Sequence, residues 1–265
     1  MKKIILLAIV GALLLMAATS FAALSGTVNI VGSTSVQPLA EELAQAFMAK
    51  NKGVKIFVQG GGSGAGIKAA MANTAEIGSS SRELNPDETG VVETTIAKDG
   101  IAIIVNKANP VTGLTSEQLK QIYSGEYTNW KQVGGPDQTI VVVNREAGSG
   151  TRGAFEELVL GKTPNTNKCL VQASTGAVQQ TVSITKEAIG YISLGALDAK
   201  TVKALRIDGV IATEQNVIAK KYKIQRPFLF LTKKAPTGVV KAFLDWVLSP
   251  EGQKIVARDY IAVKK

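Results

Sequence analysis

Three glycine-rich turns in this chain are built from the same residue types: "VGSTSVQPL" (31–39), "QGGGSGAGIKAA" (59–70) and "NREAGSGTRGAF" (144–155). Each follows an apolar stretch, combines Gly with Ser or Thr, and leads into helix-forming sequence. The first turn of a helix presents unpaired N–H groups and the positive end of the macrodipole. Glycine lets that backbone come close to a ligand, and hydroxyls add short hydrogen bonds. One such turn is ordinarily an N-cap and nothing more. Three of them, with a fourth polar cluster "GSSSR" at 78–82, could enclose one small oxyanion in N–H and O–H donors. The third turn also brings Arg145 and Arg152.

Other chemistries fit less well. Gly148, Gly150 and Gly153 spell G-x-G-x-x-G, but the acidic residue that a dinucleotide site needs roughly 20 positions downstream is missing, since 158–186 holds no Asp or Glu. A Walker A loop fails because Glu156 occupies the place of its first glycine before "GKT". Ser183 and Lys186 match S-x-x-K without the companion motifs of that chemistry, and read as a solvated helix. Glu156 and Glu157 are adjacent on a helix and face apart, so they do not make a paired-carboxylate site. The chain has no histidine, which removes His-based triads and most transition-metal sites. Cys169 is the only cysteine, so no internal disulfide can form and the fold rests on its core. No cofactor and no metal are expected.

The turns need a scaffold. "GTVNIVG" (26–32), "VKIFVQG" (54–60), "DGIAIIVNK" (99–107), "TIVVVN" (139–144), "EAIGYISL" (187–194) and "RPFLFLTK" (226–233) read as strands. Helices are expected at 36–50, with Leu39, Leu43, Ala46 and Phe47 on one face, and at 67–73, 115–125 and 152–161. The tail 237–260 reads as helix broken near Pro250. Strands alternating with helices predict an α/β chain with mostly parallel sheets. In such sheets the turns at the carboxyl ends of strands are where ligands bind. No long linker separates domains, so two lobes would have to be joined by strands that cross between them.

Lys2 and Lys3 precede an apolar run, Ile4 to Met16, and then "AATSFAA". That is the pattern of a signal peptide, residues 1–22, cleaved after Ala22, and it implies a periplasmic chain without a lipid-anchor cysteine. The run is too short for the roughly 20 residues of a membrane span. The formal net charge of +9 becomes +7 once Lys2 and Lys3 leave. A basic balance attracts anions generally. Nucleic acid is not expected, because aromatics are 5% of residues and the basic residues are scattered.

"VGSTSVQPLAEELA", "QGGGSGAGIKAA", "IGSSSREL", "DGIAIIVN", "NREAGSGTRGAFEEL" and "AIGYISL", in this order, closely resemble the periplasmic phosphate-binding proteins of the high-affinity phosphate ABC transporter, the PstS family, in its shorter subgroup. The resemblance spans about residues 25–262. It implies a two-lobed periplasmic binding protein fold of type II: an α/β chain with mixed, mostly parallel sheets and two crossover strands, "IAIIVNK" and "RPFLFLTK". Lobe I would be 23–105 with 225–265, and lobe II 106–224. The implied contacts are Thr34 and Ser35 in the first turn, Ser63 in the second, and Arg145, Ser149, Gly150 and Thr151 in the third. Ser81, followed by Arg82, stands where larger members place an aspartate. Phosphate near neutral pH keeps a proton that a carboxylate can accept, whereas sulfate has none. Asp99 is the expected acceptor, with Glu146 and Glu83 as alternatives and a plain Asp-Gly turn as the simpler role. Arg82 would contact phosphate or pair with Asp99. The implied partners are inorganic phosphate and a membrane permease with its cytoplasmic ATPase, and a monomer is expected. The alternatives are a binder of sulfate, molybdate or tungstate on the same fold, or an exported phosphate-ester hydrolase.

Overall fold

The computed structural model describes residues 24–263, so the signal-peptide reading of 1–22 lies outside the described residues. Alternating apolar residues build the first strands. β1 (Ser25–Gly32) buries Val28 and Ile30, and β2 (Gly53–Gly60) buries Val54 and Ile56. Between them α1 (Gln37–Lys50) opens on Pro38 and turns Leu39, Leu43 and Phe47 inward. α2 (Ser63–Ala72) leads to β3 (Ile77–Ser80), which is buried throughout. β4 (Val92–Asn106) is the longest of the described strands, exposed at its start and buried from Asp99 on. After β5 (Gly113–Leu114), α3 (Ser116–Ser124) begins on a full capping box, Thr115 with Gln118, and stops at Gly125 in the left-handed region. β6 (Val141–Arg145) feeds α4 (Gly150–Phe155), which loosens into a π-turn at Glu156–Leu160.

β7 (Leu170–Gln172), α5 (Thr175–Ile184), β8 (Ala188–Ser193) and β9 (Val202–Ala204) follow. Next come β10 (Arg206–Ile207), β11 (Val210–Ile211), α6 (Glu214–Ile218), β12 (Gln225–Thr232), α7 (Gly238–Val247) and α8 (Pro250–Val256).

Nine strands join one mixed sheet in the order β2-β1-β3-β12-β4-β8-β6-β7, with β9 on β4, while β11, β10 and β5 form a small second sheet. The preponderance of parallel pairing expected from the sequence gives way to an even division among the described residues. β12 and β4 run antiparallel to each other and to their other neighbours, β3, β8 and β9. A strand that returns directly from the neighbouring lobe arrives from the opposite end and must pair antiparallel.

The fold is two-lobed, with separate cores. One large cluster gathers Val28, Ile30, Leu43, Ile96, Phe228, Phe230, Phe243 and Val247. The other gathers Ile101–Val105, Tyr123, Trp130, Phe155, Tyr191 and Ile224. β4 serves both, giving Ile96 and Ala97 to the first and Ile101–Val105 to the second. The passages between lobes are therefore Asp99–Ile101, within β4, and Ile224–Gln225, which are tied by the Ile101 N–H donating to Ile224 C=O at 2.8 Å.

Candidate functional site

The three glycine turns and the "GSSS" cluster converge between the lobes. From the first lobe, the Ser33 hydroxyl donates to Ser81 Oγ at 2.9 Å and accepts the Ser35 N–H. The Ser81 N–H donates to Ser63 Oγ at 3.0 Å. From the second lobe, Thr151 Oγ1 lies 2.8 Å from Ser35 Oγ, and Thr175 Oγ1 lies 2.9 Å from it. Arg145 donates through Nη2 to Thr34 Oγ1 at 3.2 Å, and the Thr175 N–H reaches the same oxygen at 3.3 Å. Ser33, Ser35, Ser63, Ser81, Arg145, Ser149, Thr151 and Thr175 are all buried.

Backbone meets backbone here as well. The Gly64 N–H, in the first turn of α2, donates to Gly148 C=O at 3.0 Å. Gly62 holds φ +86°, and a Cβ there would stand 2.9 Å from Gly148 O. A Cβ at Gly150 would collide with Ser63 Oγ and lie 2.8 Å from Ser81 Oγ. Only glycine permits this approach, and the arrangement is a closed one.

Ser149 is the N-cap of α4, its hydroxyl accepting the Arg152 N–H at 3.2 Å. Arg152 is turned away from the cluster: its Nε pairs with Glu156 and its Nη1 donates to Arg145 C=O. Arg145 is gripped by the two oxygens of Glu146, each at 2.9 Å. Its N–H donates to Asn144 Oδ1, which also receives the Tyr191 hydroxyl. Burial pushes the Tyr191 phenol far above its ordinary value, so it stays a neutral donor.

Two sequence expectations need correction. Arg82 does not meet Asp99. It makes a bidentate pair with Glu88 at 2.6 and 2.7 Å and lies against Gly153, at the rim of the cluster. That pair holds the Glu88 carboxyl below its usual range. Asp99 is paired with Arg226. Its Oδ2 takes Nε and Nη2 of Arg226 at 3.2 and 3.0 Å, while Arg226 Nη1 donates to Ser81 Oγ at 3.2 Å. The guanidinium thus bridges Asp99 to the cluster. Burial pushes the Asp99 carboxyl up and the Arg226 guanidinium down, and each is opposed by the other's charge. Of the alternative acceptors, Glu146 is committed to Arg145, and Glu83 is exposed. The S-x-x-K serine is spent locally, since Ser183 Oγ donates to Gln180 C=O.

Sequence reasoning missed Ser33, Thr175 and Arg226. Thr175 had a signal, a further Ser-Thr-Gly turn capped by Ser174. For Arg226 the only mark is one charge at the head of an apolar strand.

Comparison with known proteins gives the lineage. The model of the PBP superfamily domain matches residues 17–251. The phosphate-binding protein PstS of Bacillus subtilis is 36% identical over 246 residues, covering 90% of this chain and 81% of its own. The chain belongs to the PstS phosphate-binding protein family. Within that family, PstS of Borreliella burgdorferi is 34% identical over 242 residues, with 86% and 87% covered. Among solved structures, a phosphate ABC transporter substrate-binding protein from Clostridium perfringens, with bound phosphate, aligns at TM-score 0.88 and 47% identity, covering 90% of this chain and all of that one. An ABC-type phosphate transport receptor from Vibrio cholerae aligns at TM-score 0.75 and 38% identity, with 89% of this chain covered. No helix among the described residues is long and apolar enough to cross a membrane.

Proposed function

We propose that this PstS-family chain is an extracytoplasmic solute-binding protein that captures inorganic phosphate between its lobes and delivers it to the permease of an ABC transporter paired with a cytoplasmic ATPase. The observation that carries the reading is the buried meeting of hydroxyls from both lobes with the first turns of α2 and α4 and the guanidinium of Arg145. Neutral hydroxyls and helix N-termini bind a tetrahedral oxyanion without the desolvation penalty of many buried charges. Thr34, Ser35, Ser63, Ser81, Ser149, Gly150, Thr151 and Arg145 are the proposed contacts. Bending at Asp99–Ile101 and Ile224–Gln225, earlier on β4 than the division at 105, would open and close the lobes.

The reading is non-enzymatic: the arrangement supplies donors and no nucleophile with a base. Calorimetry of chain freed of ligand, with phosphate, arsenate and sulfate, tests it. Tight phosphate binding is expected. Preference for sulfate would move the assignment to another oxyanion, and release of phosphate from a phosphomonoester would make the protein a hydrolase.

A further inference from the structure

Arg226 has no part in the site as the sequence described it, yet it is buried with a polar edge on the hydroxyl cluster. It sits at the head of β12, whose next buried residues are Phe228, Leu229, Phe230 and Leu231. β12 and β4 pair in a register that sets Arg226 directly opposite Asp99, at the passage between the lobes. Both side chains are 1% exposed, and Arg226 lies 5.4 Å from the centre of the Phe228 ring. A buried ion pair of this kind is poor value as a stabiliser, because desolvation offsets its attraction. Its position beside the hydroxyl cluster invites a functional account.

The bonds to Asp99 and Ser81 use three of the five N–H donors of the guanidinium, so it retains donors for a further acceptor. Ser81 Oγ, its contact, also meets Ser33 Oγ and Ser63 Oγ, so the Nη1 edge belongs to the cluster. Arg226 donates to Ser81 Oγ while Arg145 donates to Thr34 and Thr175 Oγ1, and the nearby charged or titratable groups acting on Arg226 include Asp99, Arg145 and Tyr260. Two guanidiniums, one from each lobe, therefore approach one set of hydroxyls. A dianion between them relieves their repulsion. Asp99 also touches the other lobe, Oδ1 accepting the Gly195 N–H at 3.4 Å.

We propose that Arg226 is a second anion-facing arginine of the interlobe site and that Asp99 is a positioning residue, aiming it across the two crossover strands, and not the acceptor of a ligand proton. The proposal rests on the reading of the cleft as an oxyanion site. It makes the two arginines a clamp that prefers dianionic phosphate and closes with the lobes.

Calorimetry with phosphate and sulfate, from mildly acid to mildly alkaline pH, tests it on the wild type, Arg226→Gln, Arg226→Lys and Asp99→Asn. Arg226→Gln should weaken phosphate at least about tenfold, the scale of a hydrogen bond to a charged group. It should also flatten the gain in affinity as phosphate passes from monoanion to dianion, and Arg226→Lys should restore part of that slope. Asp99→Asn should weaken phosphate and sulfate by the same factor. Wild-type affinity and slope in Arg226→Gln would overturn the proposal, as would a gain of sulfate relative to phosphate in Asp99→Asn. Should a single variant fail to fold, the neutral pair Asp99→Asn/Arg226→Gln is melted with and without phosphate. Loss of most of the phosphate-induced shift supports the clamp, and a wild-type shift overturns it. If the wild type itself binds neither anion, the oxyanion reading fails first, and this one with it.

Discussion

Two buried arginines reach the same hydroxyl cluster from opposite lobes, and they are held in different ways. Arg145 is clasped by its chain neighbour Glu146, whose carboxylate is 30% exposed. Arg226 is clasped by Asp99, 127 positions away, with both side chains 1% exposed. The first pair is local and half-hydrated, so its carboxylate can return to water if the partner is removed. The second is fixed by strand register and has no water to fall back on. The same chemistry, a carboxylate aiming a guanidinium, is therefore nearly free-standing in one lobe and welded into the architecture in the other.

The sharpest break in that contrast is stability. Arg226→Ala should cost about 3–5 kcal/mol, because it leaves the buried Asp99 carboxylate uncompensated, whereas Arg145→Ala should cost less, because the Glu146 carboxylate is 30% exposed and regains water. Denaturant midpoints of the two variants check this, and equal costs would erase the distinction. Next in size is affinity. Arg145→Ala should lose about 1.5–3 kcal/mol of phosphate binding by calorimetry. An unchanged affinity would remove Arg145 from the site. Gly150→Ala tests the closeness of the lobes, since a Cβ there collides with Ser63 Oγ; a loss of about 1–3 kcal/mol in binding is expected, in the range of overpacking.

The smallest effects belong to Arg82, the arginine that stays at the rim. Arg82→Ala should leave phosphate affinity within about twofold, a few tenths of a kcal/mol. Its partner Glu88 has a lowered pKa, so the pair's contribution is full above the ordinary carboxylate value of about 4.3 and fades as pH falls through the lowered one. Thermal midpoints of wild type and Glu88→Gln should accordingly converge as the solution is acidified.

Much of the site was readable because its parts are local. Each glycine turn announces itself within a dozen residues, and Ser35, Ser63, Ser81, Arg145 and Thr151 do meet. Arg226 was not readable, because its partner is chosen by how β12 and β4 align, and nothing near position 226 encodes that register. Arg82 misled for the same reason in reverse: it adjoins the cluster in sequence, but Glu88, six positions on, is the closer carboxylate. The fold follows a similar rule. Thr115 and Gly125 mark α3 plainly, and Leu39, Leu43 and Phe47 mark α1. The first half of β4, "VETTIAK", buries only Ile96 and Ala97 and carries no apolar period. Strands of two or three residues such as β5 and β10 exist only through their partners.

The place of β12 in the sheet makes the two lobes differ in how local their cores are. It lies between β3 and β4, yet it is the last of the described strands in sequence. Without residues 225–232 the sheet formed by β1 to β4 would lack the strand that joins β3 to β4, whereas 101–224 holds every buried residue of its own core. The first lobe therefore draws a central strand from a distant stretch of chain, while the core of the second is contiguous in sequence.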